Sequence, residues 1–209
     1  MDKIEIDWVL VKHESESELR KITIDGGGVY VFLYNDYPYY VGTAKKDQFG
    51  SRLNRHKNLF ASAKRTFLDP NHFVAISNVR WIDQIKKINE DSLLNFVFVP
   101  GNPNNKVDQA QGRVFWDKLS IYIGKIHKPE ETLIKGVELG LQRFLIKYSS
   151  MNENILPNIP GRKYTFFGKQ ESVNLVNNVS HDTSVIESSS FIEILLDHQK
   201  IGNNELQSP

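Results

Sequence analysis

Gly28-Val29-Tyr30-Val31-Phe32-Leu33-Tyr34-Asn35-Asp36-Tyr37-Pro38-Tyr39-Tyr40-Val41-Gly42 sets two short runs of β-branched and aromatic residues on either side of a turn-forming stretch, Asn35 to Pro38. This pattern reads as a β-hairpin. Side chains alternate along a strand, so Val29, Val31 and Leu33 share one face and Tyr30, Phe32 and Tyr34 the other. One face is aliphatic and the other aromatic. On the returning run Tyr40 and Gly42 share a face, which leaves Tyr39 and Val41 for the core. Tyr30 and Tyr40 meet on one face only if the residue opposite Tyr40 is even-numbered. That requires an odd-length loop such as Asp36 to Pro38.

Working outward, Ile4 to Val11 alternates as a strand, and polar Glu14 to Arg20 reads as a loop or short helix before the Gly26-Gly27-Gly28 break. Gln48 to Lys64 has helical spacing: Phe49, Leu53 and Phe60 form an apolar stripe, Arg52 and His56 fall along its edge, and Arg55 points away. From Asn71 to Lys118 strands are expected at Phe73 to Trp81 and Asn95 to Val99, with a loop at Pro100 to Asn105. Leu119 to Ile126 is a further Ile-rich strand. Pro129 to Tyr148 is the clearest helix, with acidic Glu130 and Glu131 in its first turn and Ile134, Val137, Leu141, Phe144, Leu145 and Tyr148 at spacings of three and four. Beyond Ser149 the chain is rich in Asn, Pro and Ser, apart from a basic-aromatic patch, Arg162 to Phe167, and an amphipathic run, Phe191 to Ile201.

The chain has 209 residues, no cysteine, 40% apolar and 24% charged residues, and a net charge of +1. The absence of cysteine excludes disulfides, thiolate metal sites and a cysteine nucleophile, and suits a reducing, cytoplasmic setting. Apolar runs reach about six residues, against the roughly 20 a membrane-spanning helix needs, so no membrane partner is expected. The near-neutral total argues at first against nucleic acid. Its distribution reverses that inference. From Lys45 to Arg65 the bases Lys45, Lys46, Arg52, Arg55, Lys57, Lys64 and Arg65 face one acid, Asp47, for a local +6, whereas His181 to Pro209 carries −4.

Gly28-Val29-Tyr30, then Tyr40-Val41-Gly42, then Arg52 and His56 one turn apart, and finally a glutamate on a late helix resemble the GIY-YIG nuclease family. The stretch Tyr40-Val41-Gly42-Thr43-Ala44-Lys45 is also similar to its excision-repair members. The resemblance is closest from Gly28 to His56, and a looser match runs from Leu119 to about Asn158. It implies an α/β (α+β) fold, a small three-stranded antiparallel sheet flanked by helices. The corresponding organisation is an N-terminal strand and extension over 1–25, a nuclease domain over 26–160 containing an insertion over 60–118, and a C-terminal extension over 161–209.

The resemblance implies hydrolysis of DNA phosphodiester bonds with one divalent metal, Mg2+ or Mn2+. Tyr30 would be the general base or orient the water, and Tyr40 would hold the water or the scissile phosphate. A free tyrosine titrates near ~10, so a nearby cation must favour its phenolate. Arg52 can do this and also bind phosphate with a fixed fork of donors. His56 would donate to phosphate or relay a proton. Glu138, at the edge of the Ile134, Leu141 and Leu145 stripe, is the expected metal ligand, with Glu131 on the same edge as its competitor. An asparagine often follows the family's glutamate; Asn152 is selected over Asn154 and Asn158. Lys45, Lys46, Arg55, Lys57, Lys64 and Arg65 are expected to bind DNA, with Arg80, Trp81 and Lys86 as further contacts from the insertion. Thr43 stands where some members carry a lysine. A free-standing chain of this kind fits a restriction or phage-defence endonuclease, with a repair or structure-specific nuclease or a non-catalytic binding module as alternatives. Cutting both strands at one visit would need a homodimer.

Overall fold

The computed structural model describes residues 3–21, 25–34, 37–65, 67–69, 97–99, 101–152, 172–179 and 200–202. Its principal sheet is built from β1 (Lys3–Lys12), β2 (Gly28–Tyr34), β3 (Tyr37–Ala44), β6 (Leu119–Ile126), β7 (Ser172–Val179) and β8 (Lys200–Gly202). Its spatial order is β3-β2-β6-β1-β7-β8. A separate short pair joins β4 (Phe67–Asp69) to β5 (Val97–Val99). Three helices complete the described chain: α1 (Phe49–Ala61), α2 (Lys106–Asp117) and α3 (Glu131–Asn152). The fold is therefore mixed α/β.

The expected three-stranded sheet is larger. β3, β2, β6 and β1 form a four-stranded antiparallel block, β7 joins β1 in parallel, and β8 pairs antiparallel with β7. The physical reason lies in β1, whose Ile4, Ile6, Trp8, Leu10 and Val11 are all buried. A strand carrying that much apolar surface is stable only inside the sheet. Trp8 lies opposite Gly124 of β6, and its ring fills the space a Cβ there would occupy.

The two faces of β2 are as different as its sequence. Tyr30, Phe32 and Tyr34 enter one aromatic core with Phe49, Leu53 and Phe60 of α1 and Phe115 and Trp116 of α2. Val29, Val31 and Leu33 are fully buried by alternation on the opposite face. α3 runs along β3 and β2, burying Ile134, Val137 and Leu141, and Gln142 donates to the Val41 carbonyl on edge strand β3.

α2 follows the expected Pro100 to Asn105 loop, in a stretch for which the sequence suggested no element. Asn105 caps it by accepting from the Val107 N–H at 2.9 Å, and Asp108 occupies its positive end. It crosses α1 at Gly112, where a Cβ would stand 2.1 Å from the Phe60 carbonyl oxygen. Only a glycine admits this approach. α3 begins at Glu131, two residues after Pro129, and continues past Tyr148 to Asn152. The expected strand Phe73 to Trp81, the residues Arg80, Trp81, Lys86, Asn154 and Asn158, the patch Arg162 to Phe167 and most of Phe191 to Ile201 lie outside the described residues.

Candidate nuclease site

The register of the hairpin creates the site. Tyr30 stands opposite Gly42 and Phe32 opposite Tyr40, so both tyrosines occupy the aromatic face. The required parity arises differently from the expected odd loop. Tyr34 pairs with Tyr37, leaving two residues between the strands, and an irregularity between Phe32 and Leu33 adds the missing residue at Tyr39. A two-residue turn plus a bulge gives the same register as a three-residue loop. The bulge has a second consequence. Tyr39, expected away from Tyr40's side, joins the same aromatic core against Phe115 and Phe60, with ring centroids 5.0 and 6.5 Å apart.

Gly42 is needed because the Tyr30 ring lies across it: a Cβ at this position would stand 2.5 Å from both Cζ and Oη of Tyr30. Tyr30 and Tyr40 stack with centroids 6.1 Å apart. His56, one turn beyond Arg52, closes the group edge-on, 5.0 Å from the rings of both Phe32 and Tyr40. It belongs to the buried stripe of α1 rather than its edge, since Phe49, Leu53, His56 and Phe60 are the helix's buried residues.

Tyr30 Oη and His56 Nε2 are 2.8 Å apart and buried. His56 Nδ1 is buried without a partner; Trp116 Nε1, across Phe32, is the other such atom among the described residues. With the ring proton on Nδ1, the Tyr30 hydroxyl donates to Nε2; with it on Nε2, the ring donates to the phenol oxygen, an arrangement that favours the phenolate.

The electrostatics are those of a buried site beside several cations. Burial pushes the Tyr30 phenol well above its ordinary value, Tyr40 and Glu138 push it the same way, and Arg65 and Arg52 pull it back. Burial, then the charges of Arg65, Arg55 and Arg52, hold His56 down to about 3. Both groups are neutral at pH 7. Glu138 is raised from its ordinary value by burial, against the opposing influence of Lys135 and Arg52. Arg52, half-buried, thus acts on Tyr30, His56 and Glu138 together.

The two glutamates of α3 separate clearly. The Glu138 side chain is 18% exposed and meets Lys135 Nζ at 3.3 Å, while Glu131 is 62% exposed and pairs with Lys45 at 2.9 Å. Glu138 shares the field of Tyr30 and Arg52. Asn152 is not brought to them. Because α3 continues to Asn152 as unbroken helix, this residue lies roughly 21 Å along the axis from Glu138 at 1.5 Å per residue.

The residues expected to meet DNA divide into three kinds. Lys45 pairs with Glu131 and Lys57 with Glu18, the latter at 2.7 Å. Lys46, Arg55 and Lys64 are exposed. Arg65 belongs to the site itself, its guanidinium carbon 5.1 Å from the centre of the Tyr40 ring. Neither this role for Arg65 nor the placing of Lys135, 3.5 Å from Thr43 Oγ1, was foreseen from sequence. The i, i+3 spacing of Lys135 and Glu138 was the available signal for the second; the first depends on a loop conformation that has none.

Among the described residues no three of His, Asp, Glu or Cys gather as a metal-binding group. Among the described residues Glu138 is the carboxylate whose charge acts on Tyr30, a donor that fits Mg2+, which commonly takes one or two carboxylates and completes its shell with water and phosphate oxygens. No described helix is long and apolar enough to cross a membrane. Compared with protein-family models, curated proteins and solved structures, the chain matches none.

Proposed function

We propose that the chain is a metal-dependent DNA endonuclease that hydrolyses phosphodiester bonds by a GIY-YIG mechanism, with the β3-β2-β6 part of the sheet as its GIY-YIG core. The observation that carries this reading is the buried Tyr30–His56 hydrogen bond at 2.8 Å, flanked by Arg52 and Glu138. Phosphodiester hydrolysis needs a base for water, positive charge for the phosphate and help for the leaving oxygen. Tyr30 and Arg52 answer the first two, and a metal held at Glu138 would answer the third.

Tyr30 is the base. His56 fixes its ring and, through Nε2–H, stabilises its phenolate; Arg52 adds a positive charge and offers a fork of donors to the phosphate. Tyr30, a neutral phenol at rest, first gives its proton to solvent; the phenolate then takes a proton from water, the resulting hydroxide attacks phosphorus, and the bond to the leaving sugar oxygen breaks, that oxygen taking a proton from solvent. Tyr40 stacks on Tyr30 and narrows the approach of water to that line. Glu138 would hold Mg2+, or Mn2+ in its place, and the ion supplies charge neutralisation at the phosphate.

Cleavage of supercoiled plasmid by wild type and Glu138→Ala, each with Mg2+ and with EDTA, tests the reading. Wild type should nick only with metal, and Glu138→Ala should lose about 10²-fold or more of that rate while still binding DNA. A wild type that binds DNA without cutting it over a range of metals and sequences would sink the enzyme reading.

A further inference from the structure

Five cations among the described residues have structural partners. Arg20 pairs with Glu16, Lys45 with Glu131, Lys57 with Glu18 and Lys135 with Glu138, and the Lys12 ammonium is held by backbone carbonyls. Arg52 and Arg65 differ. Both are half-buried, both act on Tyr30 and His56, and neither pairs with a carboxylate among the described residues. A guanidinium charge held half-buried beside an aromatic core without a carboxylate partner is costly, and an anion would offset that cost.

The position of Arg65 is built by the backbone. α1 ends in a Schellman turn: the Ala63 N–H donates to the Phe60 carbonyl at 2.8 Å and the Lys64 N–H to the Leu59 carbonyl at 2.9 Å. Ala63 takes the left-handed conformation, φ 51°, that such a turn demands. Glycine usually fills that place, and here a fully buried alanine holds it. Gly101 packs against the carbonyls of Ala63 and Arg65, where a Cβ would stand 2.4 and 2.8 Å from their oxygens. The chain is thereby fixed just where the Arg65 side chain turns back over Tyr40, a ring already 6.1 Å from Tyr30 and 5.0 Å from His56.

We propose that Arg65, stacked on Tyr40, forms with Arg52 a two-guanidinium clamp that grips one backbone phosphate of DNA beside Tyr30. The inference rests on the nuclease reading for its substrate and adds a phosphate-binding residue to it. Arginine is suited to both halves of the task, because its planar head stacks on an aromatic face while its edge presents paired donors to an anion. Lysine can supply the charge without the fork.

Binding of a DNA duplex in EDTA at several salt concentrations and single-turnover nicking in Mg2+, for wild type, Arg65→Gln and Arg65→Lys, provide the test, with thermal melting to show that each variant folds. Arg65→Gln is expected to flatten the slope of log affinity against log salt by about 0.9, one phosphate contact, and to slow nicking about 10-fold or more. Arg65→Lys should recover the slope but not the full rate. A slope unchanged in Arg65→Gln overturns the clamp, whether nicking survives or falls, since a fall alone would mean that Arg65 only supports Tyr40. Failure of the nuclease reading looks different: wild type binds with a slope that Arg65→Gln reduces, yet cuts nothing. In that outcome the clamp stands without the chemistry. A wild type that does not bind DNA removes both.

Discussion

The sheet carries two buried polar places, and they are finished differently. At the β1–α2 end Lys12 is wholly buried, and its ammonium donates to the carbonyls of Asp117 and Leu119 at 2.8 Å and of His13 at 3.2 Å. It thereby caps the negative end of α2. At the β2–β3–α1 end Tyr30 and His56 are equally deep, yet Nδ1 of His56 has no partner, and Arg52 and Arg65 have no carboxylate among the described residues. A buried polar group that closes all its hydrogen bonds holds a fold together. One that leaves donors and charge open is prepared for something that arrives later.

Substitutions at each end should separate the two. Gly42→Ala strikes the open end: the added methyl would meet Tyr30 Oη at 2.5 Å and displace the ring by about 1 Å, enough to cost about 10²-fold in nicking. Full activity in Gly42→Ala would show that the place of Tyr30 is not what matters.

His56 makes the open end acid-sensitive. Folded His56 takes a proton only near about 3, whereas in the unfolded chain it does so near its ordinary 6.5. Between those values the unfolded state binds more protons, so this contribution is complete above pH 6.5 and is lost as pH falls toward 3. The loss is on the order of a few kcal/mol. Urea midpoints of wild type should fall more steeply than those of His56→Gln between pH 7 and 4.5; parallel curves would contradict the assignment.

Lys12→Met addresses the closed end and should give the smallest effect. Unpairing two close carbonyls is expected to lower stability by about 1–3 kcal/mol in urea titration at pH 7, with nicking per folded molecule unchanged. Reduced nicking at full occupancy of the folded state would blur the distinction between the two ends.

Sequence and structure agree where a side-chain pattern alone decides the outcome. The alternation in Val29 to Tyr34 set the two faces of β2, and Leu119 to Ile126 is β6 residue for residue. The helical wheel put Glu131 and Glu138 on the same edge and could not separate them; burial does, with side chains 62% and 18% exposed. α2 escaped because its Val107 and Val114 are exposed and its closest approach to α1 is at a glycine, with Phe115 and Trp116 buried only at its end, so apolar periodicity is faint; the Asn105 cap and Asp108 were the signals to weigh. β7, in Ser172–Val179, was hidden by its asparagines, which the sheet accommodates through pairing with β1. Arg65 could not be placed from spacing because a left-handed alanine redirects the chain before it.

The account turns on Tyr30, and single-turnover nicking of supercoiled plasmid by Tyr30→Phe against wild type in Mg2+ tests it most directly. Phenylalanine keeps the ring across Gly42 and removes only the hydroxyl that meets His56. The account predicts a loss of about 10²–10⁴-fold, the range for removing a general base, with DNA binding intact. Cleavage by folded Tyr30→Phe at the wild-type rate would contradict it.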